Sequence, residues 1–414
     1  MSGEPRAVAA APAVPAAPAV PAAPAPAQAE SPLDSLKQLV PLFDLRLEQP
    51  DLDAVADTLR SGWLSMGPRT EAFEELFAAQ LGTRHAVAVS SCTAALHLAY
   101  AAAGIGPGDE VIVPSYTFTA TAAAVLYCGG TPVFADVIGD HDLSIDPAEV
   151  ERLITPRTKA VVAVHFAGYA APVDRLAALC AERELTLIED AAHSPSATLH
   201  GRKLGTFGLA GAFSLFSNKV LSAGEGGLLV SDDQRVATLA RRLRTHAMTL
   251  TSWEKHNGAQ GAYDVPALGY NYRIDEPRSA LALSRLHRLE EEIDRRRQLT
   301  RRYRRELRSF TDVCVPFRDE QVDTSSCYVM PILLGDPARR DEIRRRLRQE
   351  HGIQTSILYP PVHRFSVYRE RFPGVSLPRT EAASSREVTI PLFAHMTTVQ
   401  QDRVLAALAQ ELSP

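Results

Sequence analysis

From about residue 85, short β-branched runs recur at regular intervals with helical patterns between them, and few folds accommodate that alternation. The runs are AVAV (86–89), EVIV (110–113), PVFA (132–135), AVVAVH (160–165), LTLIE (185–189), AFSLF (212–216) and GLLVS (227–231). Stretches such as TAALHLAYAAAG and VDRLAALCAERE fill the gaps. This predicts an α/β domain with a mostly parallel sheet covered by helices on both faces. Ligands in such sheets bind at the carboxyl ends of strands, so the chemistry should lie just after each run. Past residue 245 the pattern changes. PRSALALSRLHRLEEEIDRRRQLTRRYRREL (277–307) predicts one long helix with Pro277 in its first turn. Its arginines alternate with acids at helical spacing, as on a solvated face. A strand (YVMPILL), a helix (PARRDEIRRRLRQE), a strand (IQTSIL) and a last helix near 397–412 would complete a smaller C-terminal α+β domain. The expected division is 1–31, 32–275 and 276–414.

Charge and composition remove several functions. With 44 basic and 49 acidic residues and a formal net charge of -5, the chain does not suit a general nucleic-acid or membrane-surface binder. The most apolar segment, 86–106, carries Ser, Thr, Cys and His and reads as strand, turn and helix, so no membrane span is expected. Residues 1–31 are an Ala/Pro tract that repeats APAVPA, expected to be a disordered or polyproline-like tail and no signal-peptide core. Five scattered cysteines, never spaced CxxC, suggest neither a disulfide framework nor a zinc site, and fit a reducing cytoplasm.

The residues after the runs carry more information. Ser91, Cys92 and Thr93 stand between a strand and a helix, where free backbone N–H groups and a hydroxyl can hold a phosphate; an ordinary helix cap reads the same way. Asp190 follows a buried strand, as a helix cap or as partner to a cationic ring nitrogen. Ser214 lies five residues before Lys219, which sits in an apolar run ahead of the turn GEGG (224–227). Only five of the 44 basic residues are lysine: Lys37, Lys159, Lys203, Lys219 and Lys255. Arginine cannot form a Schiff base and lysine can, so a lysine kept in apolar surroundings is notable. Together these supply an amine for an aldehyde, an acid for a pyridinium nitrogen, and phosphate donors, the parts of a pyridoxal phosphate site. GIGPGD (104–109) precedes a strand and is misplaced for a dinucleotide turn. No Walker or HExxH motif occurs, and the histidines lack metal-ligand spacing.

The chain resembles the DegT/DnrJ/EryC1/StrS family of pyridoxal-phosphate sugar aminotransferases over nearly all of 34–412. The matching stretches are GWLSMGP (62–68), SSCTAALHLA (90–99), GPGDEVIVPSYTFTATAAAV (106–125), EDAAHS (189–194), GRKLGTFGLAGAFSLFSNKVLSAGEGG (201–227) and LGYNYRIDE (268–276). The resemblance implies a fold-type I aminotransferase working as a homodimer. It implies Lys219 as the lysine that bonds the cofactor, Asp190 as the acid at the pyridine nitrogen, and His193 on the ring-hydroxyl side. Phe118 would stack on the ring. Cys92 (through its backbone), Thr93 and Ser214 would hold the phosphate, and Asn271 would reach across the dimer interface into the partner's site. Tyr359 and His363, in YPPVH, would touch the sugar. The chain departs from the family pattern in FAGYAAPVD, where Pro172 replaces an acid, in SNK for P-x-K, and in RIDEPRSA for R-x-T-D-x-Q-A.

The implied reaction takes an amino group from glutamate or glutamine, passes through pyridoxamine phosphate, and delivers it to a keto-sugar, expected to be nucleotide-linked, for a natural product or surface polysaccharide. The arginine bias and the Ala/Pro tail suggest a GC-rich genome and, with it, antibiotic biosynthesis. A cyclitol ketone is an alternative acceptor. A sugar dehydratase of the same fold carries histidine where this chain has Lys219. A non-catalytic regulator would carry a DNA-binding domain in place of the Ala/Pro tract.

Overall fold

The computed structural model describes residues 39–250, 253, 256–258 and 260–412; the Ala/Pro tract 1–31 lies outside them. From Val40 on, the chain packs as one compact unit. All seven β-branched runs are strands of one sheet: β1 (His85–Val89), β2 (Glu110–Pro114), β3 (Thr131–Ala135), β4 (Thr158–Val164), β5 (Thr186–Asp190), β6 (Ala210–Ser214) and β7 (Gly227–Ser231). Their order is β1-β7-β6-β5-β4-β2-β3. The ladders β6/β5, β5/β4, β4/β2 and β2/β3 are parallel, and only β7 runs against its neighbours β1 and β6. Parallel strands are buried on both faces, and Ile112, Val161, Val162 and Ile188 are wholly out of solvent.

Register places the site. Val89 at the end of β1 and Ser214 at the end of β6 both pair with Gly227 at the start of β7. Ala212 pairs with Asp190, and Asp190 with Val164. Four strand ends and the first residue of the reversed strand therefore stand side by side. From them leave the helix that begins at Cys92 and the turn that carries Lys219.

Six helices bear on the site and its supports: α1 (Gln49–Ser61), α2 (Pro68–Leu81), α3 (Cys92–Ala102), α4 (Ala120–Tyr127), α5 (Glu276–Leu286) and α6 (Leu289–Leu307). The single helix expected over 277–307 is two helices, α5 and α6, parted at His287 and Arg288, although Pro277 does sit in the first turn of α5. Asp51 of α1 is wholly buried, and a buried carboxylate needs a cation or donors. Arg288 supplies one, donating to both Asp51 oxygens while its own backbone leaves helical geometry (φ -112°, ψ 10°). The other end of α5 is also tied down. The buried Glu276 carboxylate accepts N–H groups from Gly67, Arg69 and Thr70 at 2.7 to 2.9 Å, and so caps α2.

Beyond α6, β8 (Val313–Cys314), β9 (Met330–Leu334) and β10 (Glu387–Ile390) form a three-stranded antiparallel sheet, joined by the helices Arg340–Gln349 and Thr398–Leu412. IQTSIL is not a strand. Ile353 bridges to Val40 and Ser356 to Thr389, so its hydrogen bonds divide between two partners and no ladder forms. β10 takes the place expected for it. The arginine-rich face is not all solvated either. Arg285, Arg296 and Arg304 are buried, and the last two donate to main-chain carbonyls of Tyr328, Leu392, Pro316 and Phe317. Periodicity cannot show this, because those acceptors come from distant chain. No helix among the described residues is long and apolar enough to cross a membrane.

Candidate active site

A cavity of about 320 Å³ opens at the row of strand ends. Cys92, Thr93, Phe118, Asp190, His193, Ser214, Lys219 and Tyr359 all line it. These eight come from five separate stretches of chain.

Lys219 and Asp190 define its chemistry. Part of the lysine chain reaches the cavity, but protein surrounds the amine closely enough that burial lowers its pKa to about 8, against some opposition from Asp190. The Nζ atom sits 4.3 Å from the centre of the Tyr328 ring, a cation–π contact. Burial raises the Asp190 pKa. Thr121 Oγ1 opposes this by donating to Oδ2 at 2.7 Å, and the Ala192 N–H by donating to Oδ1 at 3.2 Å. Behind Thr121, the Thr117 hydroxyl lies 2.9 Å away and completes a chain of hydroxyls leading to the carboxylate.

His193 is held against the same wall. Its ring stacks on Tyr328 with centroids 4.4 Å apart, and its Nε2 lies 3.1 Å from the Tyr359 hydroxyl. Burial, helped by the nearby Lys219 charge, keeps its pKa well below the usual value, so the ring is neutral. Its Nδ1 is buried with no hydrogen-bond partner among the described residues. A buried polar atom in that state calls for a ligand or water to complete it.

The opposite end of the cavity is a cradle of backbone. Ser91 caps α3 by accepting the Ala94 N–H at 3.1 Å, which leaves the N–H groups of Cys92 and Thr93 at the helix start. A Cβ at Gly227 would lie 2.5 Å from the Cys92 nitrogen, so only glycine lets β7 pass this close. Helix N-termini of this kind bind phosphate through N–H groups and the helix dipole. The residues present therefore fit a phosphorylated pyridine aldehyde: an N–H cradle at one end, an unpartnered ring nitrogen and a buried carboxylate along the wall, and a lysine of lowered pKa.

Two expected residues stand elsewhere. Asn271 is exposed on the surface, in a bridge to Thr245, and does not line this cavity. The His363 ring is buried outside it, with Nδ1 2.7 Å from Ser115 Oγ and Nε2 3.1 Å from Glu381, an arrangement that ties the loop 361–364 to the end of β2. Sequence reasoning missed Thr121, Asn218 and Tyr328. Thr121 follows Thr117 by four residues, a legible spacing; Tyr328 stands two residues before β9, far along the chain, and gives no local signal. Away from the cavity, His351 and Glu350 lie close to Glu411, a grouping that could ligate a metal. Arg346 is 2.9 Å from Glu411 and already supplies positive charge there.

Residues 46–409 match the DegT/DnrJ/EryC1/StrS aminotransferase family. The spore coat polysaccharide biosynthesis protein SpsC of Bacillus subtilis (strain 168) is 38% identical over 365 residues, covering 86% of this chain and 93% of SpsC. Among solved structures, S. venezuelae DesV is 34% identical with a TM-score of 0.83, over 91% of this chain and 99% of DesV. DesI, solved in the presence of its TDP-sugar product, is 33% identical with a TM-score of 0.79, over 89% of this chain and 91% of DesI. NtdA of Bacillus subtilis, at 26% identity and a TM-score of 0.78 over 91% of this chain and 84% of NtdA, holds the cofactor PMP. The chain belongs to the DegT/DnrJ/EryC1/StrS aminotransferase family and is a pyridoxal-phosphate-dependent sugar aminotransferase.

Proposed function

We propose that this aminotransferase moves the amino group of glutamate or glutamine to the carbonyl carbon of a nucleotide-linked keto-sugar, making an amino sugar for a natural product or a surface polysaccharide. The convergence of Lys219, Asp190 and the α3 N-terminus on one cavity carries the reading. The likeness to DesI, solved with its TDP-sugar product, and to SpsC, a polysaccharide biosynthesis protein, supports the acceptor class.

Pyridoxal phosphate, when bound, supplies the electron sink that transamination requires. The chain's residues supply the rest. Cys92 and Thr93 N–H groups, with Ser214, would hold the phosphate. Asp190, whose charged form the Thr121 hydroxyl and the Ala192 N–H stabilise against burial, would favour a proton on the ring nitrogen. His193 Nδ1, without a partner among the described residues, would complete its hydrogen bonding with the ring hydroxyl, and Phe118 would cover the ring. Lys219 Nζ, with its pKa lowered to about 8 by burial, can take and return a proton near neutral pH, as a general base must. Tyr359, in hydrogen-bond reach of His193, would touch the sugar. We further propose a homodimer in which the exposed Asn271 enters the partner's site, a large sheet-bearing domain followed by a smaller C-terminal one, and a cytoplasmic enzyme. The last is in keeping with five cysteines that are all unpaired.

The test is a pair of half-reactions followed by visible absorption. Holoenzyme should lose its pyridoxal band on addition of L-glutamate or L-glutamine and regain it with a thymidine-diphosphate keto-sugar. Regain with an inosose and not with any nucleotide keto-sugar would replace the sugar by a cyclitol. A band that no amino donor bleaches would end the reading.

A further inference from the structure

A second cavity, of about 340 Å³, borders the other side of the lysine turn and shares Asn218 and Lys219 with the first. Its wall is made by side chains of α5 and α6 and of the segment before α1, with five arginines and Lys219 against four carboxylates. Two of those arginines are not satisfied. Arg285 is 3% exposed and Arg296 5%. Arg285 Nη2 donates to Val220 O at 3.3 Å and to Glu292 at 2.9 Å, yet its Nε and Nη1 have no hydrogen-bond partner among the described residues. Arg296 Nη1 donates to two carbonyls, and its Nε has no partner among those residues. The acid nearest them, Glu292, is divided between Arg285 and Arg288. Burying guanidinium N–H groups without acceptors is costly, and an oxyanion relieves it best, through charge-assisted bonds.

We propose that this second cavity is the carboxylate subsite of the amino donor, in which Arg285 and Arg296 hold the carboxylate of an amino acid whose amine is presented at Lys219. The inference rests on the amino-acid donor proposed above and adds the residues that recognise it. A carboxylate suits the wall better than a phosphate does. The excess of positive groups over acids is small, and a diphosphate would face four carboxylates. Asn218 belongs to both cavities, and its Oδ1 is buried and unpartnered among the described residues, an acceptor available to the donor's ammonium as it passes from one cavity to the other.

The experiment is calorimetric titration of holoenzyme with 2-oxoglutarate and, separately, with thymidine diphosphate, on wild type, Arg285→Gln and Arg285→Lys. Arg285→Gln should weaken 2-oxoglutarate roughly 10- to 100-fold, the loss of a charged hydrogen bond. Arg285→Lys should recover part of it, and thymidine diphosphate affinity should not move. The donor KM should rise far more than kcat falls. Glu292→Gln, which frees Arg285 from its partner, should tighten 2-oxoglutarate and gives an independent reading should Arg285→Gln not fold. Unchanged 2-oxoglutarate affinity in both glutamine variants overturns the subsite, as does a loss that falls on thymidine diphosphate instead. Arg285-dependent binding without transfer to any keto-sugar keeps the subsite and ends the proposed function. Transfer whose donor KM ignores Arg285 does the reverse.

Discussion

Lys219 borders two cavities, and they are made from different parts of the chain. The first is lined by strand ends, a helix start and the loops between them, so backbone does much of the work: N–H groups at α3, a glycine where a Cβ would collide, a carboxylate at the last residue of β5. The second is lined mostly by charged side chains of α5, α6 and the segment before α1, with Phe43, Leu45, the lysine turn and His395 completing it. A backbone-built site tolerates changes of side chain and fails when a Cβ intrudes. A site built from side chains should do the opposite.

The largest effect that tests this contrast falls on the residue common to both. Lys219→Ala should lower amine transfer at least about 10³-fold, since both proton transfers depend on it. Single-turnover bleaching with L-glutamate would check this, and residual transfer above a tenth would break the assignment. A pH series comes next. The free amine, present above the pKa, is what captures the aldehyde. Loading of apoprotein should therefore climb about tenfold per pH unit below 8 and level off above it, whereas an unperturbed lysine, at 10.5, would still be climbing at pH 9. Stopped-flow absorbance from pH 6 to 10 separates the two.

Gly227→Ala sharpens the comparison. Overpacking against the Cys92 nitrogen should cost about 1–3 kcal/mol, read as roughly 10- to 100-fold weaker cofactor retention on dialysis. Arg285→Gln, at the other cavity, should leave that retention alone. Equal loss in both variants would erase the distinction. The smallest expected effect is that of Thr121→Val. It removes one donor from Asp190, worth about 1 kcal/mol, and should slow bleaching about fivefold at saturating donor.

The same contrast decides what the sequence could reveal. Lys219, Asp190 and Thr93 each follow a β-branched run by a few residues and Ser214 lies near the end of one, and a parallel sheet sends such positions to one edge whatever else the chain does. The sheet and most of the first cavity were legible for that reason. Arg285 and Arg296 lie in a stretch whose alternating charges resemble any wet helix face. They become a site only because Tyr328, Leu392 and Val220 arrive from elsewhere with carbonyls to receive them. The break between α5 and α6 was hidden for a similar reason: Arg288 leaves the helix to reach Asp51, which lies far earlier in the chain.

The cap that Glu276 places on α2 bears on how the molecule could flex. A pivot at 275/276, where the sequence pattern puts the boundary between two domains, would have to pull a buried carboxylate from three N–H groups and the Thr70 hydroxyl. α5 is thus riveted to the sheet-bearing body at its first residue. The next discontinuity is His287–Arg288, and there Arg288 is clamped to α1. Any bending that spares both clamps must fall beyond Arg288, so Arg285 stays with the sheet-bearing body.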